Sequence, residues 1–135
     1  FKAVRPAKEM AALVVSRSYE QYNENELGAT LAFNPYSFLH IINPGYKFHH
    51  EVTGHERFTL VRNRYLEFLE DKVFLRDETP AFYIYKLKTR SREFCGIFAA
   101  ASTTDYANNL IKKHEDTIEK RETLFKDYLK TVGFN

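Results

Sequence analysis

The stretch "NLIKKHEDTIEKRE", Asn109 to Glu122, sets four basic groups, one histidine, four carboxylates and a threonine within fourteen residues. Lysine and arginine spread the charge of a phosphoryl group in transfer, a carboxylate orients the attacking hydroxyl or holds Mg²⁺, and an imidazole or hydroxyl positions either. The same charges, alternating in sign along a helix, also make a solvated, ion-paired face. Helix geometry places Lys113 and Thr117 on one side and turns Ile118 and Phe125 to a core. A break near Glu115 would let Thr117 cap a second helix whose first amides, with Arg121, form an anion site. That broken form is the expected one.

Other chemistry is poorly served by this chain. "HHEVTGHE" brings His49, His50 and His55 near Glu51, but His50 and His55 are five apart with Gly54 between them. A zincin helix needs His-Glu-x-x-His, so a polar loop is the better reading, and no metal site is expected. His114-Glu115 fails likewise, because Ile118 stands where the second His would be. The single Cys95 excludes an internal disulfide and a thiolate zinc cluster. Its place in "FCGIFAAAS" predicts a buried free thiol and a reducing compartment. A Walker loop and a dinucleotide glycine fingerprint are both missing from the sequence. Lys86, Lys88, Arg90 and Arg92 alternate toward a hairpin tip, which reads equally as an anion patch or as a charge-guarded sheet edge.

The elements that must position these residues follow from periodicity. "FKAVRP" reads as a strand halted by Pro6, and "AKEMAALVVSR" as a helix with Met10, Leu13 and Val14 on one side. "NENELGATLAF" is a second helix capped by Asn23 or Asn25, and "SFLHIIN" an apolar run of strand length closed by the turn Asn43-Pro44-Gly45. Thr53 and Glu56 form a capping-box pattern ahead of Phe58, Val61, Tyr65, Phe68 and Leu69, predicting a long amphipathic helix from about Gly54 to Asp71. "VFLRD", "AFYIYKLK" and "EFCGIFAAAS" read as strands, the last two forming a hairpin within 81–101 turned near Thr89 to Arg92. Gly96 and the following alanines predict a helix packed closely on that strand. Ser102 or Thr103, with Asp105, starts the helix that enters the opening motif, and Ile118, Phe125, Tyr128, Leu129 and Val132 carry an apolar stripe to the end. The class is α+β, a mixed or antiparallel sheet packed against amphipathic helices.

A chain of 135 residues with 44% hydrophobic content, twelve Phe and nine Tyr is enough for one domain with one core. A net charge of +2 supplies no global field toward nucleic acid or membrane. Without a membrane-length apolar run or a signal-peptide core, the expected location is the cytoplasm. The start "FKAVRP" without Met and the stop at "KTVGFN" fit an N-terminal piece of a longer protein.

Motifs spread along the whole chain carry a family resemblance. Arg5-Pro6, Ser16 to Tyr19, "NPYSFLH" from Asn34 to His40, "FYIYK", Asp105-Tyr106 and "IKKHEDT" from Ile111 to Thr117 follow in order. Together they resemble the N-terminal part of the bacterial and archaeal family catalogued as domain of unknown function 1015. Two segments depart from its pattern: Ser16-Arg17-Ser18-Tyr19-Glu20 replaces Ser-Pro-Pro-Tyr-Asp, and Thr123-Leu124-Phe125 follows Glu122 in place of an acidic-arginine end. Members are sometimes labelled as relatives of ParB-type proteins, whose fold also houses free-serine kinases. "GHERF", Gly54 to Phe58, is similar to the Gly-x-x-Arg-aromatic box of that fold, although Leu60 replaces its alanine and an ordinary helix start accounts for it better.

The resemblance implies a nucleotide-dependent phosphotransferase acting on a small metabolite, with Mg²⁺ and a nucleotide as cofactors. Lys112, Lys113 and Arg121 would contact phosphate, Glu115 would be base or metal ligand, and His114 and Thr117 would orient it; Arg5, Ser16 and Asn34 would complete the binding set. The expected partners are a small-molecule or nucleotide ligand and a C-terminal domain of the same protein. A non-catalytic ParB-like regulator of nucleotide or DNA is the alternative, ranked lower because Asn108 to Asn135 holds six bases against five acids. A scaffold for further chain is the third reading.

Overall fold

The computed structural model describes residues 1–48, 52–112 and 118–133. It is α+β, and its contacts divide it into two compact units. The larger comprises Pro6–Leu75 with Ile118–Asn135; the smaller, the hairpin unit, comprises Phe1–Arg5 with Arg76–Thr117.

In the larger unit, α1 (Ala11–Val14) is a single turn, shorter than the periodicity suggested. Val15 and the residues after it are extended, and a 3₁₀ turn follows at Tyr19–Gln21. α2 (Glu24–Phe33) starts on a complete capping box: the Glu26 amide donates to Asn23 Oδ1 at 2.9 Å, and the Asn23 amide to Glu26 Oε2 at 3.3 Å. Asn23 is therefore the cap, of the two candidates. "SFLHIIN" is not a strand: it folds as the short helix α3 (Leu39–Ile42). Periodicity cannot separate a strand from a buried helical turn in so short an apolar run. Here the turn chemistry of Asn34-Pro35 wins, because Ser37 Oγ accepts the Leu39 amide and the Ser37 carbonyl accepts the His40 amide.

α4 (Gly54–Glu70) is the long helix expected. Its entry differs from the capping-box reading, since Thr53 makes no side-chain cap bond and Gly54 enters at φ 60°, a left-handed value that favours glycine. Phe58, Val61, Tyr65 and Phe68 form its buried stripe. Phe74 packs against Phe68, Tyr65 and Phe38 at ring separations of 5.3, 6.2 and 6.5 Å. α6 (Glu119–Val132) returns onto α4 through Tyr128, edge-on to Phe58 at 5.2 Å, and closes at Gly133 in the left-handed conformation. Val132 is buried, but Ile118 and Phe125, assigned to the core by periodicity, are 62% and 61% exposed.

β1 (Val4–Pro6) pairs with β2 (Phe74–Arg76), and β3 (Tyr83–Lys88) with β4 (Glu93–Phe98), as two separate two-stranded sheets rather than one. The second pair is the predicted antiparallel hairpin, in register from Tyr83 opposite Phe98 to Lys88 opposite Glu93. Thr89 closes it through three bonds with Arg92. Cys95 was expected to be buried and is exposed, as is all of β4; the space beside Gly96 is open, and among the described residues no helix packs there. Inside the hairpin unit, Phe1 stacks at 4.9 Å on Tyr83, whose hydroxyl accepts the Ala3 amide at 2.9 Å. α5 (Thr103–Ala107) is capped by Ser102 Oγ on the Asp105 amide and ends at Asn108, followed by Asn109 at φ 64°. The helix into the opening motif therefore stops before Lys112, several residues ahead of the break expected near Glu115. No helix among the described residues is long and apolar enough to cross a membrane.

Candidate functional site

Asn34 is the junction of the larger unit's first half. Its Nδ2 donates to the Leu13 carbonyl at 2.7 Å, its Oδ1 accepts the Tyr36 amide at 3.1 Å, and its own carbonyl accepts from the Ser37 amide and from His40 Nε2. Pro35, lacking an N–H, leaves its carbonyl to Arg64 Nη2 at 3.1 Å. The segment "NPYSFLH" is thus tied to α1 through Leu13 and to α4 through Arg64, and Ser37 is 1% exposed at its centre.

This junction forms one wall of a pocket of about 300 Å³ lined by His40, Asn43, Tyr46, Asn63, Arg64 and Glu67, with Leu60 and Pro44 as its apolar part. α3 and the turn after it supply the first three polar groups; successive turns of α4 supply the others. Arg64 is fixed by three partners, the Glu67 carboxylate, the Pro35 carbonyl and the Phe68 ring at 4.9 Å. His40 Nε2–H donates to the Asn34 carbonyl, and the ring also meets the Leu31 backbone. Burial first, and the Arg64 charge second, push the His40 pKa below 6.5, so the imidazole is neutral at pH 7. The side chains of Asn43 and Asn63 make no hydrogen bond among the described residues. The pocket therefore offers two free amides, a neutral imidazole and a balanced cation and anion. Sequence reasoning missed it. Its one available signal was Arg64 and Glu67 three apart on the polar side of α4, beside a motif already singled out.

The predicted site residues are distributed otherwise. Lys113, His114, Glu115 and Thr117 lie outside the described residues, as do His49, His50 and Glu51. Lys112 is exposed in the hairpin unit, and Arg121 is exposed on α6 of the larger unit. Arg5 belongs to the hairpin unit, where its Nε meets Asp77 Oδ1 at 2.7 Å; Tyr83 donates to the other Asp77 oxygen at 2.7 Å. Ser16 is half-buried just after α1, whereas Asn34 is committed to Leu13 and Tyr36. Among the described residues, no three His, Cys, Asp or Glu side chains gather as metal ligands.

A pocket that takes His40 from the "NPYSFLH" motif and its other polar groups from the turn after α3 and from α4 defines an α+β domain with a small polar cavity. The chain matches the family described as "Protein of unknown function (DUF1015)" over residues 1–135, and it belongs to that family. Comparison with curated proteins and with solved structures gives no match.

Proposed function

We propose that this domain binds a small polar metabolite in the His40–Arg64 pocket and serves a nucleotide-dependent phosphotransferase of the cytoplasm, related to the ParB-like free-serine kinases. The observation that supports the reading is the pocket: at about 300 Å³ it stands at the small end of ligand cavities, and its free amides sit beside an immobilised arginine. Such a wall orients a hydroxylated or carboxylated compound by hydrogen bonds. Glu67 is held by Arg64, so it does not suit Mg²⁺; Glu115 is the sequence's candidate for that role, with Lys112, Lys113 and Arg121 on phosphate.

Thermal-shift measurements against nucleotides and small hydroxylated metabolites, with and without Mg²⁺, test this directly. A ligand at 100 times its Kd adds about 2.7 kcal/mol. Asn63→Ala and Arg64→Gln are expected to erase the metabolite shift and spare the nucleotide one, while Lys113→Ala and Glu115→Gln stop nucleotide turnover by the whole protein. Metabolite binding unchanged by both pocket substitutions would overturn the reading.

A further inference from the structure

The register of β3 and β4 sorts the hairpin into two faces. Tyr83, Tyr85, Leu87, Phe94, Gly96 and Phe98 share one; Ile84, Lys86, Lys88, Glu93, Cys95 and Ile97 share the other. The first is an aromatic surface open to solvent: Tyr85, Phe94 and Phe98 are 47%, 50% and 56% exposed, Tyr85 and Phe98 meet edge to face at 5.5 Å, and Gly96 leaves the centre open. Beside it stand Lys86, Lys88, Arg90 and Arg92, all exposed, against Glu93 as the only acid from Tyr83 to Phe98. None of the four cations makes an ion pair among the described residues. Rings without a cover and cations without counter-charges, within sixteen residues, ask for a partner that brings both flat apolar faces and a run of negative charge.

We propose that the aromatic face of the hairpin binds a single strand of nucleic acid. Bases stack on exposed tyrosine and phenylalanine rings whatever their sequence, while cations follow the backbone. Same-face residues along a strand stand about 6.7 Å apart, roughly twice the step of stacked bases, so the ribbon fits an unstacked strand and not a duplex. Lys86 and Lys88 leave from the opposite face, but the sheet is two strands wide, about 5 Å between backbones, and their long stems bring the ammonium groups to its edges. Arg90 and Arg92 lie at the tip, at the end of the aromatic row. The binding surface lies in the unit that does not hold the His40–Arg64 pocket, so the two proposals stand or fall separately.

The test is fluorescence anisotropy of labelled oligothymidine and oligouridine titrated with the 135-residue chain. Binding of either oligomer is the expected result. Four phosphate contacts at a slope of about −0.7 each predict about fifty-fold weaker binding between about 50 mM and 200 mM NaCl. Lys86→Gln with Lys88→Gln should flatten that salt dependence. Phe94→Leu, apolar but without a ring, should weaken binding about tenfold, and Phe94→Tyr should bind like the parent. No anisotropy change at the lower salt overturns the proposal, as does equal affinity for a duplex, or Phe94→Leu binding like the parent. Light scattering closes the remaining route: a dimer that Phe94→Leu dissociates would mean that a second copy covers this face.

Discussion

The two units are held together by different physics. Every buried hydrophobic side chain among the described residues belongs to the larger unit, where Phe68, Leu39, Ile41 and Val61 are almost wholly enclosed. The hairpin unit buries none of its described residues. It is joined instead by the β3–β4 ladder, the Phe1–Tyr83 stack and a chain of polar bonds through Arg5, Asp77 and Tyr83. A hydrophobic core contributes about 25 cal/mol for each Å² removed from water, whereas an exposed ion pair contributes about 0–1 kcal/mol. A two-stranded hairpin alone is marginally stable. The contrast teaches that burial stabilises the larger unit, while the hairpin unit leaves its apolar side chains exposed.

The sharpest way to break this comparison is a matched pair of truncations. Phe68→Ala, at 2% exposure, is expected to cost about 3–5 kcal/mol in urea unfolding. Phe98→Ala, the same chemistry on the exposed hairpin face, should cost less than about 1 kcal/mol. Equal costs would mean that the hairpin has a core of its own. Native-state hydrogen exchange sharpens the same point: β3 and β4 amides should open several kcal/mol more easily than those at the centre of α4.

Within the larger unit, Asn34→Ala is the next largest perturbation. It removes a donor to the exposed Leu13 carbonyl and an acceptor for the Tyr36 amide, for a loss of about 1–2 kcal/mol in urea melts. Asn34→Asp keeps the acceptor and should recover part of the loss. A side chain that served only ligand binding would leave the melt unchanged.

What the sequence disclosed divides along the same line. α4 and the hairpin with its turn were legible because each rests on local signals, a sustained 3.6-residue stripe and alternation about a turn, whereas residue type alone narrowed the α2 cap only to Asn23 or Asn25. Cys95 was misread because an apolar run says that a strand wants burial, not that anything within the chain supplies it. Ile118 and Phe125 failed similarly, since helix phase gives a face and not its cover. α3 was lost to the strand-or-helix ambiguity of a short run. The pocket could not be read from spacing, because Asn43 and Asn63 meet only through the fold of α3 onto α4. The motif at Lys113–Thr117 stood out as a pattern, and its geometry lies outside the described residues.

The pH response should also separate the units, first through His40. Its folded pKa is lowered below 6.5, so the unfolded chain binds more protons in the window between the two values. Stability of the larger unit is therefore full above pH 6.5, falls as the pH drops below it and levels off under the folded pKa. His40→Gln, which keeps a donor for the Asn34 carbonyl, should flatten this window in urea midpoints taken across it. The effect is modest because the ring is half-exposed.

The smallest effect is expected in the hairpin unit, at Asp77. The Tyr83 hydroxyl, and after it Arg5, hold this carboxyl below 3.8. The carboxylate is the form that accepts both bonds, so its contribution is present above pH 3.8 and disappears as the pH falls through the lowered folded value. Tyr83→Phe keeps the ring on Phe1 and removes the stronger of the two causes. The Asp77 pKa, followed by carboxyl carbon NMR, should then rise toward 3.8 while the His40 titration in the other unit stays where it was. Arg5→Gln, which removes a hydrogen bond and a charge, should raise it as well. Should Arg5→Gln raise it more, the ion pair and not the hydroxyl would be the principal bond there, and the hairpin unit would be more salt-sensitive than its geometry implies.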